Sequence, residues 1–129
     1  MEPRQVLSAF NDHFMEFVDD IQIVFPDNSD ITTVKTSLIT FRKTNPRLVL
    51  LAFKEYVIGR YRNEIIAGDI KFFIDKDYKQ DLGSVGSAKL ILEKIDCLRE
   101  PIREMKEEEQ TKVVEYMRNL LKLSDMYMS

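Results

Sequence analysis

Asn45 to Asp69 reads NPRLVLLAFKEYVIGRYRNEIIAGD and carries the densest apolar block of the chain between two clear breaks. The stretch predicts a buried helix. Pro46 suits a first helical position, where a missing N–H costs nothing, with Asn45 or Thr44 as the cap. Gly68 can close the far end in a left-handed conformation. Wound at about 100° per residue, Val49, Ala52, Phe53, Tyr56 and Val57 share one broad face, while Leu51 and Ile58 fall among Arg47, Lys54 and Arg62. A stripe wrapping that far calls for neighbours on nearly every side.

The flanking segments continue the helical period. Val6, Phe10, Phe14, Phe17, Val18, Ile21 and Val24 recur at three- and four-residue steps and predict a helix over Pro3–Val24. Phe25-Pro26 ends it, because the residue before proline is pushed out of the helical region. Asp27 to Asp30 supply turn and capping side chains. Ile31, Val34, Leu38 and Phe41 mark a second helix, which Asn45-Pro46 stops. Gly59 sits within the central helix as a point of kinking ahead of Tyr61 and Ile65. Asp69 can cap a short element through Ile70, Phe73 and Ile74, and DKDYKQDLGSVGS then reads as a loop. Ile91, Ile95, Leu98, Ile102 and Met105 form a heptad-like seam that Pro101 interrupts, either by kinking the helix or by opening a new one. After Glu107-Glu108-Glu109, a last helix carries Val113, Met117, Leu120 and Leu121. The expected fold is all-α, a compact bundle of five or six helices. Residues 1–82 form a helical body, and 83–129 a C-terminal helical segment that either joins the same domain or protrudes as a docking arm.

Length and composition fit one globular domain of 129 residues, 44 % hydrophobic and 32 % charged. The lone Cys97 permits no intrachain disulfide and fits a reducing compartment. No signal sequence is visible at the N-terminus, and no apolar run approaches the roughly 20 residues that span a bilayer. The net charge of −3 conceals an asymmetry, because residues 1–30 sum to −6 and residues 31–62 to +6. Either the first helix faces the next two with an opposite field, or the surface is bipolar and docks partners.

Little points to catalysis. His13, the single histidine, lies beside the phenylalanine stripe with no nucleophile on its face and reads as a surface side chain. Cys97 has Asp96 and Glu100 nearby, which disfavour a thiolate. Asp75 and Asp77 begin like a calcium loop, but Gln80 stands where glycine is needed and Gly86 where a glutamate is needed. Gly83 to Ser87 lack the spacing and lysine of a phosphate loop. No enzyme activity, cofactor or metal is expected. The bases Lys35, Arg42, Lys43, Arg47, Lys54 and Arg62, interleaved with Phe41 and Tyr61, suit nucleic-acid phosphates, but the acids Asp12, Glu16, Asp19 and Asp20 of the first helix match them, so pairing within the chain or with another protein is preferred. Those charges, with Leu51, Ile58 and the terminal Met126, Tyr127 and Met128, are the candidate interface residues.

The aromatic start FNDHFMEF at Phe10–Phe17, the helix-ending FPDN at Phe25–Asn28, the TNP break at Thr44–Pro46 and GDIKFFIDKDY at Gly68–Tyr78 carry a resemblance over Phe10 to Leu82. This part of the chain resembles a group of small proteins encoded by nucleocytoplasmic large DNA viruses of algae and protists. The resemblance implies a structural protein of the virion, a minor capsid protein lining the inner shell and present in the host cytoplasm during assembly. Its implied partners are other capsid proteins, major and minor, with self-association a further expectation. A nucleic-acid-associated viral factor using the bases of residues 35–62 is the alternative. No catalytic motif is carried over, and the segment after Gly83 contributes nothing to the resemblance.

Overall fold

Proline and the phenylalanine stripe set the first helix, α1 (Pro3–Val24), with the bounds the sequence predicts. A computed structural model describes residues 2–75 and 87–127. Pro3 occupies the first turn, and the Glu2 backbone N–H donates to Gln5 Oε1 at 3.1 Å. Val6, Phe10, Phe14, Phe17, Val18 and Ile21 are buried, whereas Val24 is only half-buried at the end of the helix. Phe53 lies edge-on against both Phe10 and Phe14, with centroids 5.8 and 5.9 Å apart. Such pairs each add about 0.5–1.5 kcal/mol beyond the area they bury.

Helix α2 (Ser29–Thr44) starts at Asn28, whose side chain accepts from the N–H groups of Asp30 (2.9 Å) and Ile31 (3.3 Å). Loss of that cap would cost about 1 kcal/mol. Gln22 meets Thr32 at one end of the α1/α2 pair and Ser8 meets Arg42 at the other, so the two helices run antiparallel.

The central helix departs from the sequence expectation at its start and in its middle. Pro46 is not the first helical residue. Pro46 and Arg47 form a corner, and α3 (Leu48–Phe53) begins two residues later. The corner is needed because Asn45, restricted by the following proline, is extended at ψ 86° and the chain must reverse from α2. Asn11, buried on α1, pins the corner by donating from Nδ2 to the Pro46 carbonyl at 3.0 Å. A single π turn over Lys54–Ile58 then inserts one residue into the winding, with the Gly59 N–H donating to the Lys54 carbonyl. An extra residue delays the helical phase by about 100°. Val57 and Ile58 are therefore both fully covered, and Gly59 is left outside.

Helix α4 (Gly59–Ala67) kinks at Tyr61, which sits at φ −126°, and ends at Gly68 with φ 78°. There the Gly68 N–H donates to the Ile65 carbonyl (3.2 Å) and the Asp69 N–H to the Glu64 carbonyl (2.9 Å). Glycine is required twice over, since a Cβ at position 68 would also stand 2.9 Å from Arg118 Nη2. Asp69 Oδ1 accepts from the Lys71 N–H at the head of the short α5 (Lys71–Ile74), which buries Phe73. The expected loop that follows lies outside the described residues beyond Asp75, and with it most of the calcium-loop and phosphate-loop positions.

Helices α6 (Ser87–Asp96), α7 (Arg99–Glu104) and α8 (Glu107–Met126) complete the chain. The chain breaks at Cys97-Leu98, so Pro101 falls in the first turn of α7 and sacrifices no hydrogen bond. Ile91, Ile95, Leu98, Ile102 and Met105 are buried across that break. The acidic run stands in the first turn of α8, where negative charge complements the helix dipole. Helix α8 lies antiparallel along α1 and against α4, and α6 packs on α3 and α2. The C-terminal helices thus share one core with the rest, in an all-α fold without strands among the described residues. No helix there is long and apolar enough to cross a membrane.

Candidate interaction surface

The acids of α1 fan across its outer side in two rows. Asp12 and Asp19, seven residues apart, turn toward α2, where Asp12 meets Arg42 and Asp19 meets Lys35, each at 2.7 Å. Arg42 also reaches the Ser8 hydroxyl at 3.4 Å. Glu16 and Asp20, four residues apart, turn toward α8. There the Tyr116 hydroxyl donates to the Asp20 carboxylate. Burial, then this bond and the carboxylates around it, push the Tyr116 phenol well above its ordinary range.

The sequence's opposed charge blocks therefore meet only in part across the α1/α2 contact, through Lys35 and Arg42. Farther along, Arg62 makes a two-pronged bond to Asp125 at 2.8 and 2.7 Å, and Lys54 Nζ donates to the Tyr127 carbonyl at 3.2 Å. The guanidinium's hydrogen bond holds the Asp125 carboxyl below the usual carboxylate range. Lys43 and Arg47 alone among the candidate bases are exposed with no partner among the described residues.

The apolar candidates divide as well. Leu51 is 40 % exposed and Met126 47 %, but Ile58 is 0 % and Tyr127 4 % exposed, so these two belong to the core. The π turn moved Ile58 inward. Met128 lies outside the described residues.

His13 is half-buried in the α1/α8 seam, its ring 4.9 Å from that of Tyr116 and its Nδ1 3.6 Å from Glu16. No group of three or more His, Cys, Asp or Glu residues is placed to hold a metal among the described residues. Cys97 is exposed at the α6/α7 break.

Ile23 is a feature the sequence reading passed over. It is 76 % exposed and sits at the lip of a half-open groove of about 340 Å³ between the end of α1 and the start of α8. Buried side chains, Phe17, Ile21, Met105 and Val113, form the floor, with Asp20, Glu109 and Lys112 at the rim. The signal was present, since Ile23 is an apolar residue on the acidic side of α1. Tyr116 escaped notice because it flanks the Val113, Met117 and Leu120 stripe. Its partner Asp20 is 96 positions away. Compared with protein families, with curated proteins and with solved structures, the chain matches none.

Proposed function

We propose that this chain is a structural interaction protein of a virion, a minor capsid component that braces the shell by binding other capsid proteins. The observation that carries the interaction reading is the α1/α8 groove, an apolar floor left open beside a three-quarters exposed isoleucine. Isolated exposed isoleucines are ordinary, but one at the mouth of an apolar groove marks a place where another chain can gain buried area. The viral setting rests on the resemblance of Phe10 to Leu82.

The nucleic-acid reading loses support from the same geometry. Lys35, Arg42 and Arg62 are each ion-paired within the chain, and Lys54 is bonded to a backbone carbonyl. Phosphates would have to compete with carboxylates already at hand. The test is to locate the chain by mass spectrometry in purified, nuclease-treated virions before and after salt stripping. Retention with the shell is expected. Absence from virions, or release with the genome, would overturn the reading and turn attention to Lys43 and Arg47.

A further inference from the structure

We infer that the α1/α8 seam is the seat of a basic amphipathic helix from a partner protein, its aliphatic side chains lying in the groove against Ile23. The inference rests on the proposed role as an interaction protein and names the chemistry of what binds.

Shape argues for a helix. The 340 Å³ groove does not end at Tyr116. A second trough of about 390 Å³ shares Asp20, Lys112 and Tyr116 with it, and a third of about 520 Å³ shares His13, Glu16 and Asn119 with the second. The troughs follow α1 from Val24 back to Ala9, which at 1.5 Å per residue is about 22 Å. A compact small molecule fills one trough, whereas a helix of about four turns spans all three and presents anchors at the three- and four-residue spacing that groove recognition uses.

Charge argues for a basic one. Glu16, Asp20 and Glu109 turn toward the seam, against the bases Lys112 and Lys122, while Asp12 and Glu115 at its border are already paired with Arg42 and Arg118. At the apolar end, α1 has no basic residue of its own in its last turn, and Lys35 of α2, which reaches Gln22 there, is shared with Asp19. Glu107 and Glu108 stand in the facing first turn of α8. A cation on the partner is favoured by all of these. A second copy of the chain is disfavoured, because a two-fold contact across this seam sets acidic wall against acidic wall.

The test titrates the full chain with a synthetic amphipathic peptide of leucine and lysine, about 15 residues long to match the seam, followed by amide chemical shifts and calorimetry. A leucine/glutamate peptide is the charge control. The lysine peptide is expected to shift α1 and α8 resonances along the seam and the glutamate peptide to leave them unchanged. Ile23→Ser should weaken binding about tenfold, while Ile66→Ser, which removes a comparably exposed isoleucine from α4, leaves it intact. Equal binding by the two variants, equal binding of the two peptides, or shifts away from the seam would overturn the inference. So would a concentration-dependent dimer in sedimentation that Ile23→Ser abolishes, which would give the groove to a second copy. Loss of groove-dependent binding in a chain that stays with the virion shell removes the groove and keeps the structural role. Groove-dependent binding by a chain absent from virions does the reverse.

Discussion

Replacing Gly68 tests how the end of α4 is locked to α8. Gly68→Ala forces an L residue to φ 78°, which costs about 1–2 kcal/mol. Its Cβ also arrives 2.9 Å from Arg118 Nη2. The guanidinium must then shift from the carbonyls of Ile66 (2.9 Å) and Ile65 (3.3 Å), of which the Ile65 carbonyl keeps the Gly68 N–H as a donor and the Ile66 carbonyl loses its partner. For a side chain still 36 % exposed these bonds are worth about 1 kcal/mol together. The single change should therefore cost about 2–3 kcal/mol in urea unfolding, and Arg118→Ala about 1 kcal/mol. In the double variant the collision has no second party. The total should stay near 2–3 kcal/mol instead of rising to the sum, a coupling of about 1 kcal/mol. Gly68→Asn separates the two causes, because asparagine tolerates the left-handed backbone but brings the same Cβ. Additivity of the two single changes within about 0.5 kcal/mol would refute the steric link between Gly68 and Arg118.

Two further outcomes follow from the packing. Truncation after residue 82 removes α6, α7 and α8 and uncovers Phe17, Ile21, Val49 and Phe53, so the fragment should melt without a sharp transition; a cooperative melt would show that residues 1–82 hold a complete core. The Tyr116 phenol should keep its proton at a pH near 10, where an ordinary tyrosine ionises. A group whose folded pKa is raised contributes stability that is complete below its unfolded pKa and is lost as pH rises through the folded one, so the fold loses this contribution only in strong alkali. Absorbance titration should show a late tyrosine step that Asp20→Asn brings earlier, and a late step unmoved by that change would contradict the Tyr116–Asp20 contact.

Local signals were legible where one residue type forces one backbone outcome. Pro3, Phe25-Pro26 and Gly68 set helix ends, and the phenylalanine spacing of α1 named its buried face. Pro101 is different, because proline there allows a kink or a new first turn, and only the helix break at Cys97-Leu98 selects the latter. The corner at Pro46 leaves no local trace in the sequence, because the contact that pins it comes from Asn11, 35 residues away. The burial of Ile58 is not legible either, because a constant helical period cannot register the residue that the π turn inserts. The charge blocks were visible, but which acid meets which base depends on the α1/α2 register. That register divides the acids into a row spent on Lys35 and Arg42 and a row facing α8.

The π turn at Lys54–Ile58 gives the chain an unusual sensitivity to length. Deleting one residue there would restore an uninterrupted spiral and turn everything beyond it by about a quarter of a revolution relative to α3. Arg62 would swing off Asp125, Ile65 out of the core, and Gly68 away from Arg118, three losses from one codon. A substitution at exposed Glu55 causes nothing comparable, because it alters a side chain and leaves the count unchanged. For this segment the number of residues is a stricter specification than their identity, and homologous sequences should align across it without gaps even where few letters agree.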